Sequence, residues 1–286
     1  MSVSIVTDSV ASIPPDLLAA NGITAVSLFI NDGESNQAEL DMDVAAFYRR
    51  LEDTGTLPTS SQPPVESMLT AFGAGLDAGD DVLGVFISEK MSGTCQTARI
   101  AAEMIAADHA GRRIEVLDSR SNSMEEGYGV LAAARVAAVG GTLDECAAAA
   151  SDTLRRTRYL FTPHTLEYLR RGGRIGGASA LIGGLPQVKP ILTVEDGETQ
   201  TFARVRTQAR ALAEMTRRFT EDIEIGGLEQ VCVHYISDAD TAEVYAREQI
   251  EPIAGEAVRV IPVSPVIGLH VGPAVGLVYT TRKDRA

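Results

Sequence analysis

Short apolar runs alternate with longer amphipathic ones through the first half of the chain. Val3–Thr7, Thr24–Ile30, Asp81–Ser88 and Ile114–Asp118 are brief, rich in Val and Ile and bounded by turn residues, which predicts buried strands. Between them, Asp43–Leu51, Val65–Leu76, Gly93–Ala107 and Glu125–Ala138 carry apolar residues at helical spacing. Asp43 and Ser92 stand as N-caps, and Gly111 and Gly140–Gly141 fall where helices should stop. Strand alternating with helix implies parallel strands, right-handed crossovers and helices on both faces.

The second half has a different rhythm. Leu143–Leu154 reads as an Ala-rich helix bridging the halves, and Thr165–Arg171 as a short helix closed by Gly172-Gly173. Ile191–Val205 is a pair of short runs about Asp196-Gly197, a hairpin signal. Gln208–Thr220 and Ala239–Ile250 are predicted helices; Glu229–Ile236, Ala257–Val263 and Ala274–Thr280 are predicted strands. The expectation is an α/β chain with an N-terminal parallel-sheet α/β domain over residues 1–156 and a C-terminal mixed-sheet α/β domain over 157–286. The 286 residues, 45% hydrophobic and 22% charged, agree with two domains of roughly 100–200 residues each.

Charge narrows the function. A formal net charge of −14 argues against a nucleic-acid binder and against docking on an anionic bilayer, because like charges repel. No apolar run reaches the ~18 residues that span a bilayer, and Met1–Thr7 lacks the basic start of a signal peptide. Cys95, Cys146 and Cys232 lie far apart with no CxxC, which argues against a zinc knuckle or redox pair and points to the reducing cytoplasm. Lys occurs only at 90, 189 and 283, so exposed Arg carries little functional weight by itself.

Ligands of open α/β sheets bind beyond the carboxyl ends of the strands. Four hydroxyl-bearing loops fall on that predicted edge: Asp8-Ser9, Ser60-Ser61-Gln62-Pro63, Ser88 to Thr94, and Asp118 to Ser121. Ser92-Gly93-Thr94 is the sharpest, since it offers two hydroxyls, free N–H groups and a helix amino end, with a glycine that admits a ligand close to the backbone. Alone it reads as helix capping; with four loops on one edge, a carboxylate or phosphate site fits as well. As a nucleophile Ser92 would need a base and an acid behind it, and His270 in Gly268-Leu269-His270-Val271-Gly272-Pro273 has no neighbouring carboxylate. A hydrolase therefore ranks below a binding protein.

The remaining signals are weaker. His109 reads as solvated, His164 as a helix-start residue and His234 as a core histidine; no spacing suits a metal, and no cofactor is expected. Gly127-Tyr128-Gly129-Val130-Leu131-Ala132 matches G-x-G-x-x-A but begins nine residues after the strand ends, too late for a dinucleotide loop. In Tyr168-Leu169-Arg170-Arg171-Gly172-Gly173-Arg174-Ile175 the two glycines allow a sharp reversal and gather three arginines, which could pair with an anion, join the domains or be solvated.

Taken in order, Ile5-Val6-Thr7-Asp8-Ser9, Ser60-Ser61-Gln62-Pro63, Ser92-Gly93-Thr94, Asp118-Ser119, Tyr168 to Ile175, Lys189-Pro190-Ile191-Leu192 and Gly268 to Pro273 resemble the DegV family over nearly the whole chain. The Gly-Gly-Arg and Gly-x-His-x-Gly-Pro blocks make the resemblance specific. It implies the two-domain fold above, with a fatty acid held between the domains. It also implies a role like that of the fatty-acid-binding subunits of bacterial fatty acid kinase, which present the acyl carboxylate to a separate ATP-dependent kinase subunit that makes the acyl phosphate. By resemblance Ser92, with Gly93 and Thr94, binds the carboxylate. Ser60 stands where the family usually has Thr, His270 is the second head-group contact, Arg171 or Arg174 orients the anion, and Arg206 faces the kinase. Ala274 departs from the glycine often found there. Gly176–Gly184 and the Leu, Ile and Val of the second domain either line an acyl tunnel or form ordinary core. The expected protein is a cytoplasmic, non-enzymatic long-chain fatty-acid binder; the alternative is a stand-alone serine esterase or acyltransferase using Ser92 and His270.

Overall fold

The structure is a computed structural model that describes residues 2–54, 57–181 and 188–284. The chain runs β1 (Val3–Asp8), a 3₁₀ turn (Ser9–Ala11), α1 (Pro15–Ala20), β2 (Ile23–Val26), β3 (Phe29–Asn31), β4 (Asn36–Ala38) and α2 (Val44–Thr54). There follow β5 (Thr59–Ser61), α3 (Val65–Asp77), β6 (Asp81–Phe86), α4 (Thr94–Ala106), β7 (Ile114–Asp118), α5 (Ser123–Ala138) and α6 (Leu143–Arg156). The second half contains β8 (Thr157–Pro163), α7 (Glu167–Arg171), a 3₁₀ segment (Gly176–Leu181), β9 (Lys189–Glu195), β10 (Glu198–Val205) and α8 (Gln208–Gly226). It ends with β11 (Leu228–Ile236), α9 (Ala239–Tyr245), a π-helical turn (Ala246–Ile250), α10 (Glu251–Ala254), β12 (Arg259–Pro262), α11 (Pro265–Val271) and β13 (Ala274–Thr281).

Two units emerge: residues 1–42 with 58–155, and 43–57 with 156–286. The first holds a parallel sheet of order β2-β1-β6-β7. Strand β6 is buried along its whole length, as a parallel sheet covered on both faces requires. Val6, Val26, Val82 and Phe86 pack with Met68, Phe72 and Leu76 of α3 and with Cys95, Ala98 and Ala101 of α4. Helix α5 lies against β1 and β6, and its first twelve residues are all buried. The G-x-G-x-x-A run sits inside α5 and serves packing: a Cβ on Gly127 would stand 2.9 Å from the Ala11 carbonyl oxygen, and one on Gly129 2.8 Å from Leu154.

The predicted strand Thr24–Ile30 is two strands. β2 joins the parallel sheet, whereas β3 belongs to a small antiparallel sheet of order β4-β3-β5. Side chains break the ladder between them. Ser9 Oγ accepts the Leu28 N–H at 2.8 Å, and Ser27 Oγ donates to the Leu28 carbonyl and accepts the Leu40 N–H.

The second unit holds a mixed sheet of order β10-β9-β8-β13-β11-β12, antiparallel except for the β11–β12 pair. One face, through Leu160, Ile191, Val233, Val275, Leu277 and Tyr279, packs on α8 and α9. A polar group closes this core: the wholly buried Asp222 accepts from Arg158 Nε and Tyr279 Oη, both at 2.8 Å. Strand β8 is absent from the periodicity reading because Thr157-Arg158-Tyr159-Leu160-Phe161-Thr162-Pro163 alternates only weakly; its place between β9 and β13 is a tertiary outcome.

Helix α2, distant in sequence, belongs to this second unit. Asp43 Oδ1 caps it by accepting the Ala46 N–H at 2.9 Å. The Tyr48 hydroxyl donates to the Val263 carbonyl at 2.6 Å, and a Cβ on Gly268 would fall 2.3 Å from the Tyr48 ring. Gly268 to Pro273 is the end of α11 and its exit. Ser264 caps that helix through the Ile267 N–H, and Pro265 occupies its first turn. Among the described residues no helix is long and apolar enough to cross a membrane, and no cluster of His, Cys, Asp and Glu suits a metal.

Candidate functional site: a hydroxyl loop edge and a histidine seat

The hydroxyl-bearing loops of the first unit do meet at the carboxyl edge of its sheet. Ser88 N–H donates to the Ser121 carbonyl at 2.8 Å, Ser119 N–H to the Phe86 carbonyl at 3.0 Å, and Ile87 N–H to Asp8 Oδ2 at 3.0 Å. Most of the hydroxyls are used internally. Ser9 donates to Glu39, Ser121 to Glu125, and Ser119 to the Ser121 carbonyl.

Ser92 and Thr94 differ from these. Their hydroxyl oxygens lie 2.9 Å apart, a hydrogen bond in which either can donate, at the amino end of α4. The cap residue is Gly93, one later than the sequence suggests, and it makes no side-chain cap bond. Thr94 is fully buried and Ser92 only partly, so Ser92 is the member of the pair that reaches the surface. A Cβ on Gly93 would land 2.0 Å from Gln62 Oε1, while Gln62 Nε2 donates to Thr97 Oγ1 at 2.7 Å. The Ser60-Ser61-Gln62-Pro63 segment is thereby fastened to the start of α4, with Ser60 paired to Ile30 in the small sheet. Gln62, which carries no hydroxyl, is thus the residue of this motif that fixes the loop to α4.

Beneath this edge lies a buried carboxyl pair. Asp8 ends β1 and accepts the N–H groups of Val10 and Ile87; Glu126, fully buried on α5, accepts from Thr7 Oγ1 at 3.3 Å. Burial pushes Asp8 up to about 7, and burial with the Asp8 charge pushes Glu126 well above the usual range. Glu126 Oε2 meets no donor, because its neighbour is another acceptor; a proton on Glu126 turns the clash into a hydrogen bond to Asp8.

In the second unit His270 occupies the last turn of α11 and is mostly buried. Burial, then the Arg174 guanidinium, lowers it to about 4, so the ring is neutral at pH 7. Of the three clustered arginines, Arg170 and Arg171 both bond Glu167 and draw its carboxyl down to about 2. Arg174 instead donates to the Gly172 carbonyl at 2.6 Å and is the one that acts on His270. Arg206 is exposed between β10 and α8 and forms no ion pair among the described residues. His234 is a core histidine, bonded to the Ile261 carbonyl at 2.9 Å, and burial lowers it to about 4. In the 3₁₀ segment, Gly176 and Gly177 are filled by Thr199 and Gln200 of β10, while residues 182–184 of the tunnel-lining proposal lie outside the described residues.

The family model described as "Uncharacterised protein, DegV family" matches residues 2–282. The chain belongs to the DegV family. A DegV domain-containing protein of Clostridium acetobutylicum is 41% identical over 99% of both chains, and one of Clostridium perfringens is 38% identical over 98% of this chain and 99% of its own. Among solved structures, a DegV family protein from Thermus thermophilus, described by its fatty-acid binding, superposes with a TM-score of 0.85 at 29% identity, covering 98% of this chain and all of its own. DegV of Bacillus subtilis, described as a fatty acid binding protein, gives 0.89 at 26% identity, covering 98% and 99%. A parallel four-stranded sheet with a separate mixed six-stranded sheet is thus the DegV architecture.

Proposed function

We propose that this DegV protein binds a long-chain fatty acid by its carboxylate and presents it to a separate ATP-dependent kinase subunit for conversion to the acyl phosphate. The observation that carries the reading is the Ser92–Thr94 hydroxyl pair at the amino end of α4, in a chain whose solved relatives from Thermus and Bacillus bind fatty acids. The pair and the helix amino end suit an oxyanion. His270, Arg174 and Ser60 are the further proposed head-group contacts; Arg171, already bonded to Glu167, is the lesser candidate. Each buried methylene contributes about 0.8 kcal/mol, so a chain of about fourteen supplies up to about 11 kcal/mol and leaves the head group to confer orientation.

Native mass spectrometry of the protein as purified, followed by delipidation and titration with oleic acid, tests the reading. Saturable binding of one fatty acid supports it; no binding to the delipidated, folded protein overturns it. Turnover of an activated ester without a partner would favour the esterase alternative.

Ser92→Ala removes a hydrogen bond to a charged oxygen and should weaken oleate binding by roughly 1.5–3 kcal/mol with the fold intact. Unchanged affinity in the folded variant would reduce Ser92 to a loop-ordering role. Arg206, exposed and outside any described ion pair, is the proposed kinase contact. Arg206→Glu should slow acyl phosphate formation in the partnered reaction while fatty-acid affinity stays the same, because the charge reversal acts on docking. Equal losses in both assays would show that Arg206 touches the ligand.

A further inference from the structure

The two glycines after α7 have different physical reasons. Gly173 has φ +71 and nothing within 4 Å of an added Cβ, so its glycine answers the turn. Gly172 has φ −73 and ψ −11, a helical conformation open to any residue. Its lack of a side chain answers space: a Cβ there would stand 2.3 Å from His270 Nδ1 and 3.3 Å from Cε1.

The helix bearing that ring has little freedom to move away. Gly268 of α11 is closed by the Tyr48 ring, whose hydroxyl is bonded to the Val263 and Ser264 carbonyls. Gly272, at φ +70, is closed by the Tyr168 ring, 2.4 Å from where its Cβ would be. α7 and α11 therefore interlock reciprocally, His270 over Gly172 and Tyr168 over Gly272. The Gly172 N–H donates to the Tyr168 carbonyl at 2.8 Å, and the Gly172 carbonyl accepts Arg174 Nη1 at 2.6 Å.

We propose that Gly172 is a positioning residue for head-group recognition: its bare Cα seats the His270 imidazole, and its carbonyl holds the Arg174 guanidinium beside that ring. This rests on the fatty-acid reading for its purpose, though not for its geometry. With the α11 backbone pinned by Tyr48 and Tyr168, a methyl at 172 is relieved by rotation of the His270 ring, which swings Nε2 away from its set direction.

The test is Gly172→Ala, read first by ¹⁵N NMR of the His270 ring in ligand-free protein and then by oleic acid titration of delipidated protein. The ring resonances should shift and oleic acid affinity should fall at least tenfold. In a His270→Ala background the same substitution should change affinity less than twofold, since no ring is left to displace. Gly173→Ala should lower the melting temperature yet leave the His270 resonances in place. If Gly172→Ala alone does not fold, adding His270→Ala should restore folding, and a double variant that remains unfolded overturns the seat. Unmoved ring resonances, an equal affinity loss in both backgrounds, or the same ring shift from Gly173→Ala also overturn it. If wild-type protein fails to bind oleic acid, the fatty-acid reading falls while the ring measurement still decides the seat.

Discussion

Glu126→Gln should lessen the loss of stability that the wild type shows as pH rises from 5 to 8, by the share that the raised Glu126 carboxyl contributes. Asp8 is held up by burial rather than by Glu126, so both proteins should still lose roughly 3 kcal/mol over this range, about two pH units up to the folded Asp8 value of about 7 at about 1.4 kcal/mol each. The direction follows from which state holds the proton. Asp8 and Glu126 titrate near 3.8 and 4.5 when unfolded and higher when folded, so the folded state keeps protons that the unfolded chain has released. Their contribution is fully present below about pH 4 and is lost as pH rises through the folded value of Asp8 near 7. Gln keeps the shape of Glu126 and a donor toward Asp8 but cannot ionise. Urea unfolding of both proteins across this range measures the effect as a difference, which cancels the titration of all other groups. Parallel stability curves would show that Glu126 ionises as an exposed carboxyl does.

Fatty-acid binding should raise the His270 pKa by more than one unit from its free value of about 4. Burial and the Arg174 charge both penalise the imidazolium in the free protein. A bound carboxylate offsets the Arg174 charge and accepts a hydrogen bond that the charged ring donates more strongly than the neutral one. A general base for Ser92 would instead have to remain neutral, and its replacement would abolish turnover rather than weaken binding. NMR titration of the ring with and without oleic acid separates these roles, and a value that stays or falls on binding removes His270 from the head group.

Local chemistry accounts for what the sequence made legible. Period-two and period-3.6 runs located the longer helices and most strands, because a buried face must be apolar wherever it packs, while the short α1, α10 and α11 went unread. The hydroxyl edge was legible too, since the loops after β1, β6 and β7 lie side by side once those strands are parallel neighbours. Where side chains from distant segments intervene, the reading failed. The Thr24–Ile30 run gives no hint that Ser9 will take the Leu28 N–H and divide it between two sheets. Nor does Gly268 to Pro273 show by itself that it ends a helix, in which Gly268 makes room for the Tyr48 ring while Gly272, at φ +70, both turns the chain and makes room for Tyr168.

By itself, then, the amino-acid sequence determined the α/β class, the parallel first sheet, the family and the roster of polar residues, all of which depend on short-range pattern or on motif order. Tertiary structure alone decided which members of that roster are committed elsewhere. Glu39 occupies Ser9, Gln62 is fastened to Thr97, and Gly172 gives its space to His270, whereas the pairing of Glu167 with Arg170 and Arg171 and of Ser121 with Glu125 is local in sequence. Hydrogen bonds and steric exclusion act over about 3 Å, and only the folded chain brings residues a hundred positions apart within that distance.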